Sequence, residues 1–347
     1  MKIAMIGFDL PPEGRGGVCH VVHRLANSLV ERNIGVDVFT TSHKPEDAKY
    51  NVFRINLGFF DILPKALKPL LFSLYLSWQD FSTYDLIHSH GDEQFISSNK
   101  PVLRTFHGSA SGEAIYSRNP LRYMIQLFVV YPLEILASLR ASIAVAVSKH
   151  TCYQIPFIKR VIHNGVGIEK FRPGTKSQNP SILFVGGKIG GRKRGNSLIK
   201  LFSSYILKEI PSAELWIVSS DKVEGKNIKY YSDLTISQLA EIYRQAWVFC
   251  LPSAYEGFGI PYIEAMASGT AVISSPNLGA KEIIGRNEWG IISEDDKLGQ
   301  TIISVLKDKT KRNFFERQGL QRNKDFSFEK MVNEYIMLYK KIRRQGK

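Results

Sequence analysis

Trp247-Val-Phe-Cys-Leu251-Pro-Ser-Ala-Tyr255-Glu-Gly-Phe-Gly-Ile-Pro-Tyr-Ile-Glu264-Ala-Met-Ala-Ser-Gly269 is the stretch from which the fold is read. Trp247 to Leu251 is a short apolar run, the pattern of a buried strand, and Pro261 stands as the first residue of a helix that carries Tyr262, Ile263, Ala265 and Met266 and is closed by Gly269. A strand, a glycine-rich turn and a helix in succession are the repeating unit of a parallel α/β sheet. The glycines let backbone approach a ligand, and the N–H groups at a helix start suit an anion such as phosphate. Glu256 and Glu264, eight positions apart, stand on either side of that start, where carboxylates accept hydrogen bonds from sugar hydroxyls. Acids near a helix start are equally ordinary on a surface, so the pair by itself leaves both readings open.

Working outward, both halves of the chain open alike. Lys2 to Gly7 is an apolar run leading to glycines and the helical pattern Val21, Val22, Leu25, Ala26, Leu29; Ser181 to Val185 repeats this with Gly186, Gly187, Gly190, Gly191 and then Leu198, Leu201, Phe202. Further strands are expected at Val36–Thr40, Leu86–His88, Val102–Phe106 and Ile143–Val147, and at Glu214–Val218, Val248–Leu251 and Ala271–Ser274. The pattern predicts two Rossmann-like parallel-sheet domains facing a cleft, with ligands at the carboxyl ends of the strands. A length of 347 residues also favours two domains, since one core rarely keeps growing to that size. Gly165, Gly167, Pro173 and Gly174 mark a linker near Asn164–Gln178.

Three widely spaced cysteines, Cys19, Cys152 and Cys250, argue for a reducing compartment and against a zinc site. The chain enters its first strand without a basic leader or cleavage pattern, so a cytoplasmic location is expected. The net charge of +14 is unevenly spread: residues 1–170 carry 18 basic and 14 acidic side chains, residues 171–347 carry 28 and 18. The excess lies in the tail Lys340-Lys341-Ile-Arg343-Arg344-Gln-Gly-Lys347 and in Lys188, Arg192, Lys193 and Arg194. Neither interleaves cations with stacking aromatics, so no nucleic-acid groove is expected. Tyr123–Leu139 is apolar but interrupted by Gln126, Pro132 and Glu134, which predicts a buried helical pair rather than a spanning helix. Leu63, Leu67, Leu70, Leu71, Leu74 and Trp78 recur at helical spacing beside Lys65 and Lys68, with Pro69 as a kink; core packing is the first reading, and a peripheral membrane contact, on the inner face, is the second.

The order Glu256-Gly-Phe-Gly-Ile-Pro-Tyr-Ile-Glu264-Ala-Met-Ala-Ser-Gly-Thr-Ala-Val-Ile resembles the signature of the family 4 retaining glycosyltransferases, which have the GT-B fold. Pro11-Pro-Glu-Gly-Arg-Gly16-Gly17-Val18, Thr105-Phe-His107-Gly108, Val145-Ala-Val-Ser148, His163-Asn164-Gly165-Val166, Ile182-Leu-Phe-Val-Gly186-Gly187 and Pro252-Ser253 follow the family's order along nearly the whole chain. The resemblance implies an N-terminal acceptor-side domain over 1–168, a nucleotide-sugar domain over 169–327, and a final helix with a basic tail over 328–347 that crosses back. It implies a retaining, metal-independent transfer of a hexosyl unit from a nucleotide-diphosphate sugar to a hydroxyl acceptor, saccharide or lipid-linked, in surface polysaccharide or glycolipid assembly. No cofactor is implied and no metal is required.

The roles carried over are His107 on the transferred sugar, Glu256 on its hydroxyls, Lys193 on the leaving diphosphate, Glu264 on the ribose, and Phe258, Gly259 and Ile260 on sugar or phosphate through their backbone. Gly17 and Arg192 are donor-side and Gly16 acceptor-side. The chain has Gly186-Gly187 where the family has Gly-Arg, and a longer segment to Gly195, so Lys188, Arg192, Lys193 and Arg194 all remain candidates for the phosphate-binding Arg and Lys, with Lys193 favoured and Arg192 next. No Asp-x-Asp motif occurs, so fixed cations are expected to offset the departing charge. A sugar-nucleotide epimerase and a non-catalytic nucleotide-sugar-binding protein are the competing readings. Neither the base, the sugar, the acceptor nor the oligomeric state is read from the chain.

Overall fold

The computed structural model of the chain describes every residue except 15, 59–67, 92, 93, 97, 118, 346 and 347. It forms two units, one of Met1–Ala114, Leu121–His163 and Met331–Lys347, the other of Ile115–Pro120 and Asn164–Lys330. The division differs from one at residue 168. Residues 164–168 lie with the second unit because Val166 bridges to Ser327 and because Gly165 lies against the backbone of Phe328, where a Cβ would stand 2.5 Å from its Cα.

The first unit is built on seven parallel strands, β1 (Lys2–Ile6), β2 (Gly35–Thr40), β3 (Asn51–Arg54), β4 (Leu86–Ser89), β5 (Val102–Phe106), β6 (Ile143–Ala146) and β7 (Arg160–Val161), in the order β3-β2-β1-β4-β5-β6-β7. Short apolar runs such as Ile3–Ile6 are buried throughout, as strands covered on both faces must be. The helix Gly17–Glu31 covers them with Val21, Val22, Leu25, Ala26 and Leu29, the expected apolar set. The second unit has six parallel strands, β8 (Ser181–Val185), β9 (Glu214–Val218), β10 (Ile228–Tyr231), β11 (Val248–Leu251), β12 (Ala271–Ser274) and β13 (Ile291–Ile292), in the order β10-β9-β8-β11-β12-β13. Strand order reverses between β1 and β4 and again between β8 and β11, and a crevice opens beyond the strand ends at such a reversal. The edge strands β3, β7, β10 and β13 escape a reading by pattern: β3 is largely exposed and β10 partly so, and β7 and β13 are two residues long.

From Met331 onward the last helix, Phe328–Gln345, belongs to the first unit. Tyr339 Oη lies 2.7 Å from His88 Nδ1, Tyr335 Oη lies 3.1 Å from Thr105 Oγ1, and Arg343 pairs with Asp85 at 3.5 Å.

Two helical expectations need correction. Tyr123–Leu139 is not a buried pair: Pro120–Arg140 is one continuous 21-residue helix, and 11% of its apolar window is buried. Pro132 does not break it because the wide turn Gln126–Val130, with i→i+5 bonding, precedes the proline and absorbs its missing N–H and its bulk. Of the 63–78 stripe, Leu63, Lys65 and Leu67 lie outside the described residues. The helix there runs Lys68–Leu76 with Pro69 in its first turn, and it buries Phe72, Ser73 and Leu76 rather than Leu74.

Candidate active site

In the second unit the strand-end loops of β8 and β11 flank the reversal and meet. The β8 loop makes a single tight turn over Gly191–Lys193 and delivers three successive cations, each with a different fate. Arg194 has φ +53°, donates to Pro252 O at 2.6 Å, and pairs with Asp295 at 2.5 Å; its task is to tie the loop down. Lys193 Nζ lies 3.0 Å from Glu256 Oε1 and Arg192 NH1 lies 3.4 Å from the same oxygen. Arg192 is held in place by donating to Tyr255 O at 2.7 Å, while its own carbonyl accepts from Ala254 N at 2.8 Å. Lys188 is exposed nearer the strand end.

Glu256 is buried and also accepts from Ser253 Oγ at 2.8 Å. Burial alone would push its carboxyl up, but Lys193 and Arg192 outweigh it and hold the group below the usual carboxylate range. A buried carboxylate facing two cations is thus assembled from residues about sixty positions apart in the chain, Arg192 and Tyr255 being separated by 63. Among the described residues no three His, Cys, Asp or Glu side chains gather as a metal site.

The helix Ile260–Ala267 starts directly after this loop and no side chain caps it. Ile260 is its first residue and Pro261 its second, one place later than expected, and the proline still falls in the turn where an N–H has no helical partner. Gly259 has φ +102°, and a Cβ there would stand 2.4 Å from Tyr262 Cδ2, so the turn requires glycine. Phe258 is buried edge-on against Phe326, so its side chain packs the loop. Glu264 is half-buried one turn in, and burial together with the Glu264 and Glu256 carboxylates raises the Tyr243 phenol well above its ordinary value.

In the first unit the ends of β4, beside the reversal, and of its neighbour β5 carry imidazoles. His107 follows β5 and its Nε2 lies 2.9 Å from His90 Nδ1, the two rings stacked at 5.2 Å. His90 follows β4 and lies 4.2 Å from the His88 ring, which is fixed by Tyr339 and by Thr105 Oγ1 at 3.0 Å. Burial pushes His107 down to about 4, with Arg104 adding, and His88 to about 3, with His107 adding; His90 is also held well below the ordinary value by burial and its neighbouring imidazoles. All three are neutral at pH 7. Gly16 caps the helix Gly17–Glu31 without a side-chain bond, and a Cβ on it would meet nothing within 4 Å, which leaves open space at that helix start beside the exposed Gly17.

Glu256, Lys193 and Arg192 therefore converge, with Gly259, Ile260 and Glu264 on the helix that follows, while His107, Gly16 and Gly17 belong to the first unit. The sequence reading quoted Pro252-Ser253 without giving Ser253 or Tyr255 a role, and it missed the pair His88 and His90. Ile87-His88-Ser89-His90-Gly91 did carry a signal, histidines at period two running into a glycine at a strand end.

Known proteins share the family signature and the two-unit fold. Residues 15–170 match the profile of Glycosyltransferase Family 4 and residues 168–322 that of Glycosyl transferases group 1. The chain is 31% identical to alpha-maltose-1-phosphate synthase of Mycobacterium tuberculosis over an alignment of 405 positions, gaps included, that covers 99% of this chain and 100% of that one. Its fold is similar to sucrose-phosphate synthase of Thermosynechococcus elongatus, with a TM-score of 0.82 at 21% identity and 98% of each chain covered. It is also similar to Anabaena HepE in complex with UDP and glucose, with a TM-score of 0.76 at 16% identity over 97% of this chain and 99% of that one. With both halves matched in order and a full-length relative above 30% identity, the chain belongs to the family 4 glycosyltransferases of GT-B fold.

Proposed function

We propose that this glycosyltransferase is a retaining, metal-independent enzyme that moves a hexosyl unit from a nucleotide-diphosphate sugar to a hydroxyl of a saccharide or lipid-linked acceptor. The observation that carries the reading is the buried Glu256 carboxylate flanked by Lys193 and Arg192 at the ends of β8 and β11. Cations fixed in this way stabilise the charge that develops on a departing diphosphate, and they do so without reorganisation during the step. The solved relative that holds UDP and glucose supports a nucleotide-sugar donor.

In the proposed step the bond from the anomeric carbon to the β-phosphate oxygen breaks and the acceptor oxygen bonds to that carbon on the same face. The acceptor proton passes to the leaving phosphate, so no separate base is needed. Lys193 and Arg192 take the negative charge, Glu256 accepts from sugar hydroxyls, and Glu264 accepts from the ribose. The backbone at Phe258, Gly259 and Ile260 meets sugar or phosphate. His107 contacts the transferred sugar as a neutral imidazole, Gly17 lies on the donor side and Gly16 on the acceptor side.

The test is a thermal-shift and turnover screen against UDP, GDP and ADP sugars, with EDTA and then with magnesium. A shift with one nucleotide in EDTA, with a new glycoside of unchanged anomeric configuration by NMR, is the expected result. An epimerised donor without glycoside, an inverted product, or a strict need for magnesium would each overturn part of the reading.

A further inference from the structure

The outer face of the helix Pro120–Arg140 is an uncovered apolar stripe. Leu121, Met124, Phe128, Pro132, Leu136 and Leu139 recur three or four positions apart and are all exposed, Leu121 to 69%, Phe128 to 62% and Leu139 to 55%. Isolated exposed side chains of this kind are common, but a contiguous row is a mark of an interaction surface. The inner face is committed to the first unit. Tyr131 Oη donates to Gln154 O at 2.7 Å, Ser138 Oγ donates to Pro156 O at 3.1 Å, and Glu134 accepts from Ala110 N at 3.0 Å.

Those bonds tie residues 154–156 to the helix, and the same segment holds two more aromatics outward, Tyr153 at 86% and Phe157 at 59% exposure. Phe157 has φ +73°, a conformation that a bulky side chain avoids, so the backbone is strained where it presents an aromatic ring to solvent.

The charge around this face is predominantly basic, the partly exposed Glu113 pairing with Arg122 at 3.8 Å near the N-terminal end of the helix. Residues 120–160 contain Arg122, Arg140, Lys149, Lys159 and Arg160, all exposed, and a single acid, Glu134, which is turned inward. At the C-terminal end of the helix a cavity of ≈ 690 Å³ is lined by Lys100 and Arg140 and by no carboxylate among the described residues. A second copy of the chain docked on this face would bring like charges together, which opposes association. Although its length, roughly 30 Å, would allow the helix to cross a bilayer, its packed inner face with Glu134 and the buried Ala137 and Ser138 holds it along the surface of the unit.

We propose that this face docks on an anionic lipid bilayer. The apolar stripe with Tyr153 and Phe157 enters the boundary between headgroups and acyl chains, and the surrounding arginines and lysines pair with lipid phosphates. This inference is independent of the proposed donor site.

The full chain is tested by co-sedimentation with vesicles of phosphatidylcholine alone and of phosphatidylcholine with phosphatidylglycerol, at low and high salt. Binding to the anionic vesicles that weakens with salt is expected. Phe128→Ser with Leu139→Ser should lower the partition roughly tenfold or more. Lys149→Glu with Lys159→Glu and Arg160→Glu should lower binding to anionic vesicles alone. Both variants should keep the wild-type melting temperature and nucleotide-induced shift, which separates loss of docking from loss of the donor site. The proposal is overturned by absence of binding to anionic vesicles at low salt. It is equally overturned by binding that both variants leave unchanged, or by a concentration-dependent dimer that Phe128→Ser with Leu139→Ser dissolves.

Discussion

The two sheets reverse strand order in the same way, yet the polar groups at and beside the two reversals are of opposite kinds. Beyond β8 and β11 a buried carboxylate is compensated by a lysine and an arginine, which hold it below the usual carboxylate range. Beyond β4 and β5, His90 and His107 stack with His88 beneath, and burial keeps all three neutral. Ionised groups repay their desolvation only if paired, and a site that must take a diphosphate gains from cations already fixed there. Neutral imidazoles suit hydroxyl groups, which need donors and acceptors rather than charge. The same topology thus presents a charged floor in one unit and an uncharged one in the other.

The sharpest way to break this contrast is at the carboxylate. Glu256→Ala should lower turnover by about 10²–10³-fold, roughly 3–4 kcal/mol of transition-state stabilisation; a purified variant with full activity would remove Glu256 from the reaction. Lys193→Ala should cost about 10²-fold in turnover, measured at saturating donor. Arg194→Ala instead should lower the melting temperature with less effect on turnover per folded molecule, because this arginine bonds Pro252 and Asp295 and not Glu256.

Acid titration separates the two units. Unfolded, the imidazoles take up protons near 6.5; folded, His107 resists to about 4 and His88 to about 3. Their contribution to stability is complete above pH 6.5 and is lost as pH falls from 6.5 toward 4, by ~1.4 kcal/mol per pH unit for each histidine. Glu256, lowered from 4.5, contributes above that pH and loses its share only below it. Urea midpoints between pH 7 and 3.5 should therefore fall first through the histidine window, and His88→Phe should flatten that first fall.

The smallest expected effects distinguish a glycine that the fold requires from one that leaves room for a ligand. Gly259→Ala should cost about 1–3 kcal/mol in denaturant unfolding, given its φ of +102° and the Tyr262 ring beside it. Gly16→Ala, at φ −83° with nothing within 4 Å, should change stability by under about 0.5 kcal/mol. A change in ligand affinity without a change in stability at Gly16 would mark it as a contact.

Much of the fold was legible because its signals are local. Strands β5, β8, β9, β11 and β12 run over the residues that their apolar runs indicated, and Gly269, at φ +65°, follows the helix it was expected to close. The helix Pro120–Arg140 misled because apolar content reports a wish to leave water without saying what provides the cover. Its interruptions at Gln126 and Pro132 were absorbed by a wide turn instead of ending it.

By itself the sequence determined two parallel α/β halves, each opening with a strand and glycines, and Glu256 at a strand end before a helix, since run length, periodicity and glycine placement act over a few neighbouring residues. Strand order, the choice of Lys193 and Arg192 over Arg194 as partners of Glu256, and the row of His88, His90 and His107, with His88 held by the last helix, depended on the folded chain. Those contacts join residues 63 positions apart in one unit and 251 in the other, and at such separations only the packing of whole elements decides which side chains meet.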